Sequence, residues 1–440
     1  MFNKKLILLI GITLIFGGLL IPFNVEAAET GGTEGEPEVL TLEKCIELAF
    51  QNSKDLQLAS KQVAQKEKEL SQARASFLPT LGYEYQTTNI ETDFGDIDST
   101  DASLSIGQPL YTGGALTAGY KIAKLEYEKA LEDQRKAKLE LVYGVKKCFY
   151  GVWLAEQKLK VTQASYDYMG RLYQQIKRFY DVGTKSKFEL LSAQTDWEKR
   201  KPDFIEAQND VTKAKLQLAN IIGIPHDQLK VKDELTQFQL PEQIALSLES
   251  LIEEAYQKNP DIRNSEKNLK IAQNSVKLAS SGYKPTIKAI GKKGRSESDP
   301  SDPKVPEDTL TIGVNLSGVL FNGFKTQSEV AAAKEKEAAA KIAKSKKRDD
   351  IHLSVQEALL DLEASLEKAR ANQAASNLAK ETLRMTQARY DAGMATAMDI
   401  SEVQIKVDEA LIGYYKGIQD YIIALAKLDV TLGRDLQSKE

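Results

Sequence analysis

Few residues in this chain have the type and spacing needed for covalent or metal chemistry. Its two histidines, His226 and His352, stand far apart, with no ligand cluster beside either. No Ser/His/Asp or Cys/His set is visible, so the sequence argues against an enzyme, a bound metal and a cofactor. Cys45 and Cys148 are the two thiols. In an exported protein such a pair can form a disulfide, whereas Cys148 lies on an apolar helix stripe, where a buried thiol is the simpler reading. Charge is the chemistry that remains. Asp399 and Glu402 lie at the start of a helical pattern, where acids favour the positive end of the helix dipole.

The elements that position these groups are long. From Ala115 to Val182 there is no proline, and apolar or small residues recur at steps of four and three, as at Leu141, Val145, Cys148, Val152, Ala155 and Leu159. That seven-residue period marks a helix laid along a partner. At 1.5 Å per residue it makes a rod of roughly 100 Å. The pattern breaks at Gly183, a residue suited to the positive φ just past a helix end. Periodicity resumes at Phe188, so the unit reads as a helical hairpin with a tight tip.

Composition narrows the class. The 440 residues carry a net charge of -4, with 28% charged and 42% hydrophobic residues. This excludes a disordered chain. No apolar run of about 20 residues follows the N-terminus, which excludes a polytopic helical membrane protein. No dense basic patch is present, so nucleic acid is not an expected partner. Lys4, Lys5, the apolar Leu6 to Ile21 and the small Ala27 and Ala28 read as a signal peptide over residues 1–28. An uncleaved anchor is the alternative. No Cys stands at the cleavage point, so lipid attachment there is unsupported.

The chain is written twice. Adding 206 carries Leu42-Glu43 onto Leu248-Glu249, Pro79-Thr80-Leu81 onto Pro285-Thr286-Ile287, and Leu104 to Gly107 onto Leu310 to Gly313. Past a four-residue insertion the offset is 210, and Tyr180 to Gly183 falls on Tyr390 to Gly393. A register held this long defines two copies of one unit, placed at residues 29–240 and 241–440. Each copy has a short helix, a medium helix, two extended runs, a long helix, a tip and a returning helix. The helical hairpins span residues 115–222 and 326–432. Pro202 should kink the first returning helix. Medium plus returning helix nearly equals the long helix, so the two can stack end to end beside it. The short helices then gather as a belt at mid-height.

The extended runs lie at about residues 80–112 and 286–321. Leu81, Tyr83 and Tyr85 alternate with Gly82, Glu84 and Gln86, and Leu310, Ile312, Val314 and Leu316 alternate with polar neighbours. Polar loops are expected at Asn89 to Asp101 and at Ser296 to Asp308. A small soluble sheet is one reading. The sharper reading is a membrane barrel, with Tyr83, Tyr85, Tyr111 and Phe321 as an interfacial girdle. Four strands are too few to close a barrel, so several chains must contribute.

In this order and spacing the chain resembles the TolC family of outer-membrane channel proteins. The resemblance rests on the duplicated Leu-x-Leu-Glu start (Leu40 to Glu43; Leu246 to Glu249), on Phe77 to Leu81, on Pro109 to Gly114, and on the two Tyr-Asp-x-Gly tips. It implies a mainly α fold with a small β part. Two β-hairpins per chain would build a trimeric 12-stranded barrel above an α-helical tunnel. It implies the exit duct of a tripartite efflux or type I secretion system in the outer membrane. The partners would be a periplasmic adaptor, an inner-membrane pump of the RND, ABC or MFS type, and outer-membrane lipid. The competing reading is a structural or adhesive envelope coiled coil without a pore.

The resemblance also assigns residues. Six and nine residues past the second tip Gly, Asp399 and Glu402 would ring the periplasmic aperture and attract cations. The tips, Gly183, Thr184, Lys185, Ser186 and Gly393, Met394, Ala395, Thr396, would meet the adaptor. Tyr390 would link to Glu189 in the closed state. The family's supporting basic residue is Ala395 here, and Lys185 or Lys187 would have to substitute for it.

Overall fold

The computed structural model describes residues 39–92, 95–225, 230–232, 235, 238–299 and 307–435. The expected signal peptide and His226 lie outside the described residues. The order is β1 (Val39–Leu40), α1 (Leu42–Asn52), α2 (Lys54–Ala75), β2 (Thr80–Thr92), β3 (Gly95–Thr112), α3 (Ala115–Asp181), α4 (Lys187–Glu198), α5 (Arg200–Ile222) and β4 (Lys230–Val231). The second copy follows as α6 (Leu248–Lys258), α7 (Pro260–Ser280), β5 (Thr286–Asp299), β6 (Glu307–Ser317), α8 (Lys325–Asp391) and α9 (Ala397–Leu432).

The helices begin and end where local chemistry dictates. Thr41, Ser53, Ser247 and Asn259 each accept a first-turn N–H at an N-cap, and Pro260 occupies the first turn of α7. The long helices α3 and α8 are 67 residues each, rods of about 100 Å. In the first hairpin α2 and α5 both pack on α3; in the second, α7 and α9 both pack on α8. The medium and returning helices thus share the length of the long one. Gly417 lets α9 approach α8 closely, since a Cβ there would come within 2.7 Å of Ala369 Cα.

Three apolar clusters hold the rods together. The first packs Cys45, Ile46 and Ala49 of α1 against Val145, Phe149 and Trp153 of α3 and Leu218 and Ile222 of α5. The second repeats this with Leu251 and Ala255 of α6 on Val355 and Leu362 of α8 and Leu428 of α9. These are the belt. The third lies near the tips and contains Met169, Ile176, Ala193, Tyr390 and Ile400. β1 and β4 add a short parallel pair, Val39 to Lys230 and Leu40 to Val231. Cys45 is buried and Cys148 half-buried, and both remain thiols.

Two boundaries differ from the sequence reading. The returning helix of the first copy divides at Lys199, between α4 and α5. Pro202 explains the place, because its ring cannot coexist with a helical carbonyl at Glu198. The strands also run far into the expected loops. β2 and β3 stay paired to Thr92 and Gly95, and β5 and β6 to Ser296 and Glu307. The apolar alternation stops earlier than the pairing because backbone bonds need no apolar side chain. Thr87, Thr88, Ile90 and Thr100 keep β propensity where the alternation is lost.

The four long strands form one antiparallel sheet, ordered β2-β3-β5-β6. Leu81, Tyr83, Leu104, Ile106, Leu310 and Ile312 all lie exposed. The register puts them on one face. Both outer strands present open edges. Among the described residues no helix is long and apolar enough to cross a membrane.

Candidate functional site

Both tips are built alike. Gly183 and Gly393 take φ of 79° and 75°. Gly183 N–H donates to Tyr180 O and Thr184 N–H to Phe179 O; Gly393 and Met394 do the same to Tyr390 and Arg389. This paired closure satisfies the last carbonyls of α3 and α8. Three residues on, a capping box starts the returning helix. Ser186 and Glu189 form it in the first tip, Thr396 and Asp399 in the second.

Asp399 therefore has a local partner. Its Oδ2 accepts from Thr396 N at 2.7 Å and from Thr396 Oγ1 at 2.8 Å. The backbone N–H, then the hydroxyl, hold this exposed carboxyl below its ordinary range. Glu402 stands one turn further on, also exposed, with Lys406 Nζ 2.7 Å from Oε1. Ile400, Ser401 and Gln404 are buried, so the two acids occupy the uncovered side of α9.

Glu189 and Tyr390 do not bond in the single chain. Glu189 accepts Lys185 Nζ at 2.6 Å and Ser186 N at 2.9 Å. The Lys185 ammonium, then the Ser186 N–H, lower its carboxyl to about 2. The Tyr390 hydroxyl is buried without a hydrogen-bond partner, and desolvation pushes it up. Lys185 Nζ lies 5.9 Å from the Tyr390 ring centroid, in cation–π range. Lys185 has taken the place between the two groups that were to meet. Lys187 opens α4, and Ala395 packs against the tip cluster.

Above the tips are two features that sequence reasoning missed. Tyr173, Trp197, Tyr166 and Phe204 form a continuous stack, with successive centroids 5.4, 5.6 and 5.7 Å apart. Beside it runs a groove between α3 and α8 of about 950 Å³, bordered by Tyr168, Arg171, Arg178, Lys380 and Arg384. Tyr168 donates to Gln387 across it. The spacing of Tyr166 and Tyr173, seven apart on α3, was the readable signal.

The second feature is a buried polar cluster. Arg200 at the start of α5 lies 3.0 Å from Asp408 of α9. Ser165 of α3 donates to the same oxygen at 2.6 Å, and Gln404 to the other at 2.8 Å. Burial pushes the Asp408 carboxyl up, against the pull of Ser165, Gln404 and Arg200. One Arg200 nitrogen is buried without a partner. Nothing beyond an Asp next to Val407 on the apolar stripe announced this cluster in the sequence. Among the described residues no group of His, Cys, Asp and Glu is placed to hold a metal ion.

Residues 45–224 and 251–434 match the outer membrane efflux protein family. The chain is 26% identical over 384 residues to the outer membrane protein TolC of Vibrio cholerae, covering 83% of this chain and 84% of that one. It is 22% identical over 438 residues to the alkaline protease secretion protein AprF of Pseudomonas aeruginosa, covering 94% and 87%. Among solved structures, the CmeC outer membrane channel of Campylobacter jejuni superposes with a TM-score of 0.77 at 17% identity, covering 89% and 85%. At that identity the likeness speaks for the fold.

Proposed function

Because the chain belongs to the outer membrane efflux protein family, we propose that three copies close one duct whose periplasmic mouth is lined by Asp399 and Glu402. The protein is an efflux or secretion channel of the outer membrane with a large periplasmic portion, and not an enzyme. It works with adaptor and pump partners in a tripartite system.

The observation that carries it is the sheet β2-β3-β5-β6. One face is apolar and exposed on all four strands, and both edges are open. Water tolerates neither the face nor the edges. Three sheets joined edge to edge give twelve strands and an apolar exterior for lipid. The helices make the same demand. Ile342, Leu353, Leu360, Leu378 and Met385 are exposed along α8. At 100° per residue they fall within a narrow stripe. Phe188, Leu191, Ile205 and Leu216 are exposed on α4 and α5. Neighbouring copies would cover both.

The two hairpin tips, Gly183 to Ser186 and Gly393 to Thr396, are the outermost part of the helical end and offer themselves to the adaptor. The groove of Tyr168, Arg171 and Lys380 lies directly above them.

The test is single-channel conductance of the purified protein in a planar bilayer, with its mass in detergent measured alongside. A trimer with small, cation-preferring openings is expected. A protein that inserts without conducting, or that stays soluble, would remove the duct.

A further inference from the structure

The outward face of the sheet changes character along its length. Rows across the four strands follow from the register. One row holds Leu81, Ile106, Gly291 and Ile312; the next holds Tyr83, Leu104, Lys293 and Leu310; the next holds Tyr85, Ala102, Arg295 and Asp308. Two cations thus stand on the lipid-facing side, at the end of the apolar band far from the helices. They are not lumen residues. Lys288 and Lys292 occupy the other face, where Lys292 meets Glu84 at 3.6 Å.

Depth decides what they can touch. Arg295 lies eight steps along β5 from Ile287, about 26 Å along the strand, or about 20 Å of height at a tilt near 40°. A barrel's apolar band is about 25 Å tall. By this measure Arg295 stands about 5 Å inside the outer edge of that band and Lys293 about 5 Å deeper, and long basic side chains there extend their charge toward the headgroups. Small Ala102 leaves room between Tyr85 and Arg295. The result is a shallow recess of about 480 Å³ lined by Tyr83, Tyr85, Leu104, Lys293, Arg295 and Asp308.

We propose that this recess holds a phosphate of an outer-leaflet lipid headgroup, gripped by Lys293 and Arg295, with an acyl chain lying over Ile106 and Gly291. This rests on the barrel reading above. Lys293 has no ion pair among the described residues. Arg295 Nε lies 3.5 Å from Glu297 Oε1, one row farther out. An Arg has five N–H donors, and this contact engages only one of them. Glu297, one row farther out, repels an anion that rides higher and so limits its depth, while Asp308, across from Arg295 on β6, borders the recess. The site lies on β2, β3, β5 and β6 of one chain and needs no neighbour to complete it.

The test uses full-length protein in detergent and three probes: diphosphorylated lipid A, its dephosphorylated form, and inorganic phosphate. Tighter binding of the phosphorylated lipid is expected. Lys293→Gln and Arg295→Gln should each weaken it roughly fivefold, with Lys293→Arg retaining affinity. Lys288→Gln, on the lumen face, should leave affinity unchanged. Equal affinity for the two lipids, an equal loss from Lys288→Gln, or saturation by millimolar inorganic phosphate alone would each overturn the site. Mass and conductance of the same preparation keep the barrel separate. A conducting trimer without lipid preference sinks the headgroup site only, whereas a non-conducting monomer sinks the barrel.

Discussion

Arg200 and Asp408 belong to different helical hairpins, and their side chains meet at 3.0 Å. Arg200 is the first residue of α5, at the place where the returning helix of the first copy is broken. Asp408 lies inside α9, the returning helix of the second. Ser165 brings α3 to the same carboxylate. Three helices are tied at one height, above tips whose own closing bond is missing in the chain. Within the single chain the two hairpins are connected by this buried pair, while Tyr390 and Glu189, which the family resemblance links in the closed state, do not bond to each other.

Breaking that pair on one side should be severe. Side-chain exposure is 13% for Arg200 and 12% for Asp408, so Asp408→Ala strands a guanidinium away from water. The expected loss is about 3–5 kcal/mol, while an apolar double replacement, Arg200→Met with Asp408→Leu, should lose less, because it leaves only Ser165 and Gln404 without their acceptor. Denaturant unfolding of the detergent-solubilised protein reads both. If the single change loses no more than about 1 kcal/mol, typical of an exposed pair such as Lys427 and Asp361, the cluster is wet.

Acid should loosen the first tip. The Glu189 carboxyl is lowered to about 2 in the folded chain by Lys185 and Ser186. Its unfolded value is about 4.3. The folded state thus binds its proton less readily, so the stabilisation is complete above about pH 4.3 and is lost as pH falls toward about 2. Trp197 reports on α4, and Trp153→Phe leaves it as the sole indole of the two in the chain. Its emission should change through that window in the native tip and not in Glu189→Gln. An identical acid response in both would assign the change to another group.

The elements were legible because their signals are local and repeated. The long helices follow from a seven-residue period, the tips from Gly183 and Gly393, and a kink in the first returning helix from Pro202, which the structure sharpens to a break at Lys199. The strands were legible only where one face is apolar. Beyond Tyr85 and Leu310 the pairing continues through backbone bonds that leave no alternation to read. At the site, the resemblance singled out Asp399 and Glu402, but the offset of 210 also makes Glu189 the counterpart of Asp399, and each closes a capping box. The Arg200–Asp408 contact was not legible. It joins residues 208 apart, and neither breaks the local pattern of its helix.

Removing the Tyr390 hydroxyl should not hurt the isolated chain. The oxygen is buried and unpartnered, and an unmade hydrogen bond carries a desolvation penalty of about 1–3 kcal/mol. Tyr390→Phe should therefore leave unfolding unchanged or raise stability by up to about 1 kcal/mol. Thermal unfolding of the assembled protein checks this. A clear loss would mean that assembly supplies an acceptor which one chain does not have, and would restore Tyr390 to the closed-state link.

The aperture acids can be separated by their local partners. Glu402 touches only exposed Lys406 among the described residues, so Glu402→Gln changes charge with little structural effect. Asp399 also closes the capping box with Thr396, so Asp399→Asn weakens the start of α9 as well. Under the proposed trimeric duct, three copies of each acid would meet at a narrow mouth and attract multivalent cations, so neutralising them should weaken block. Glu402→Gln should do this with unfolding unchanged, and the double variant should do it further. Block is read as the fall in planar-bilayer current on adding a trivalent cation to the periplasmic side. If block is the same in the native and doubly neutralised proteins, the two acids do not face the pore, and the capping box alone accounts for Asp399.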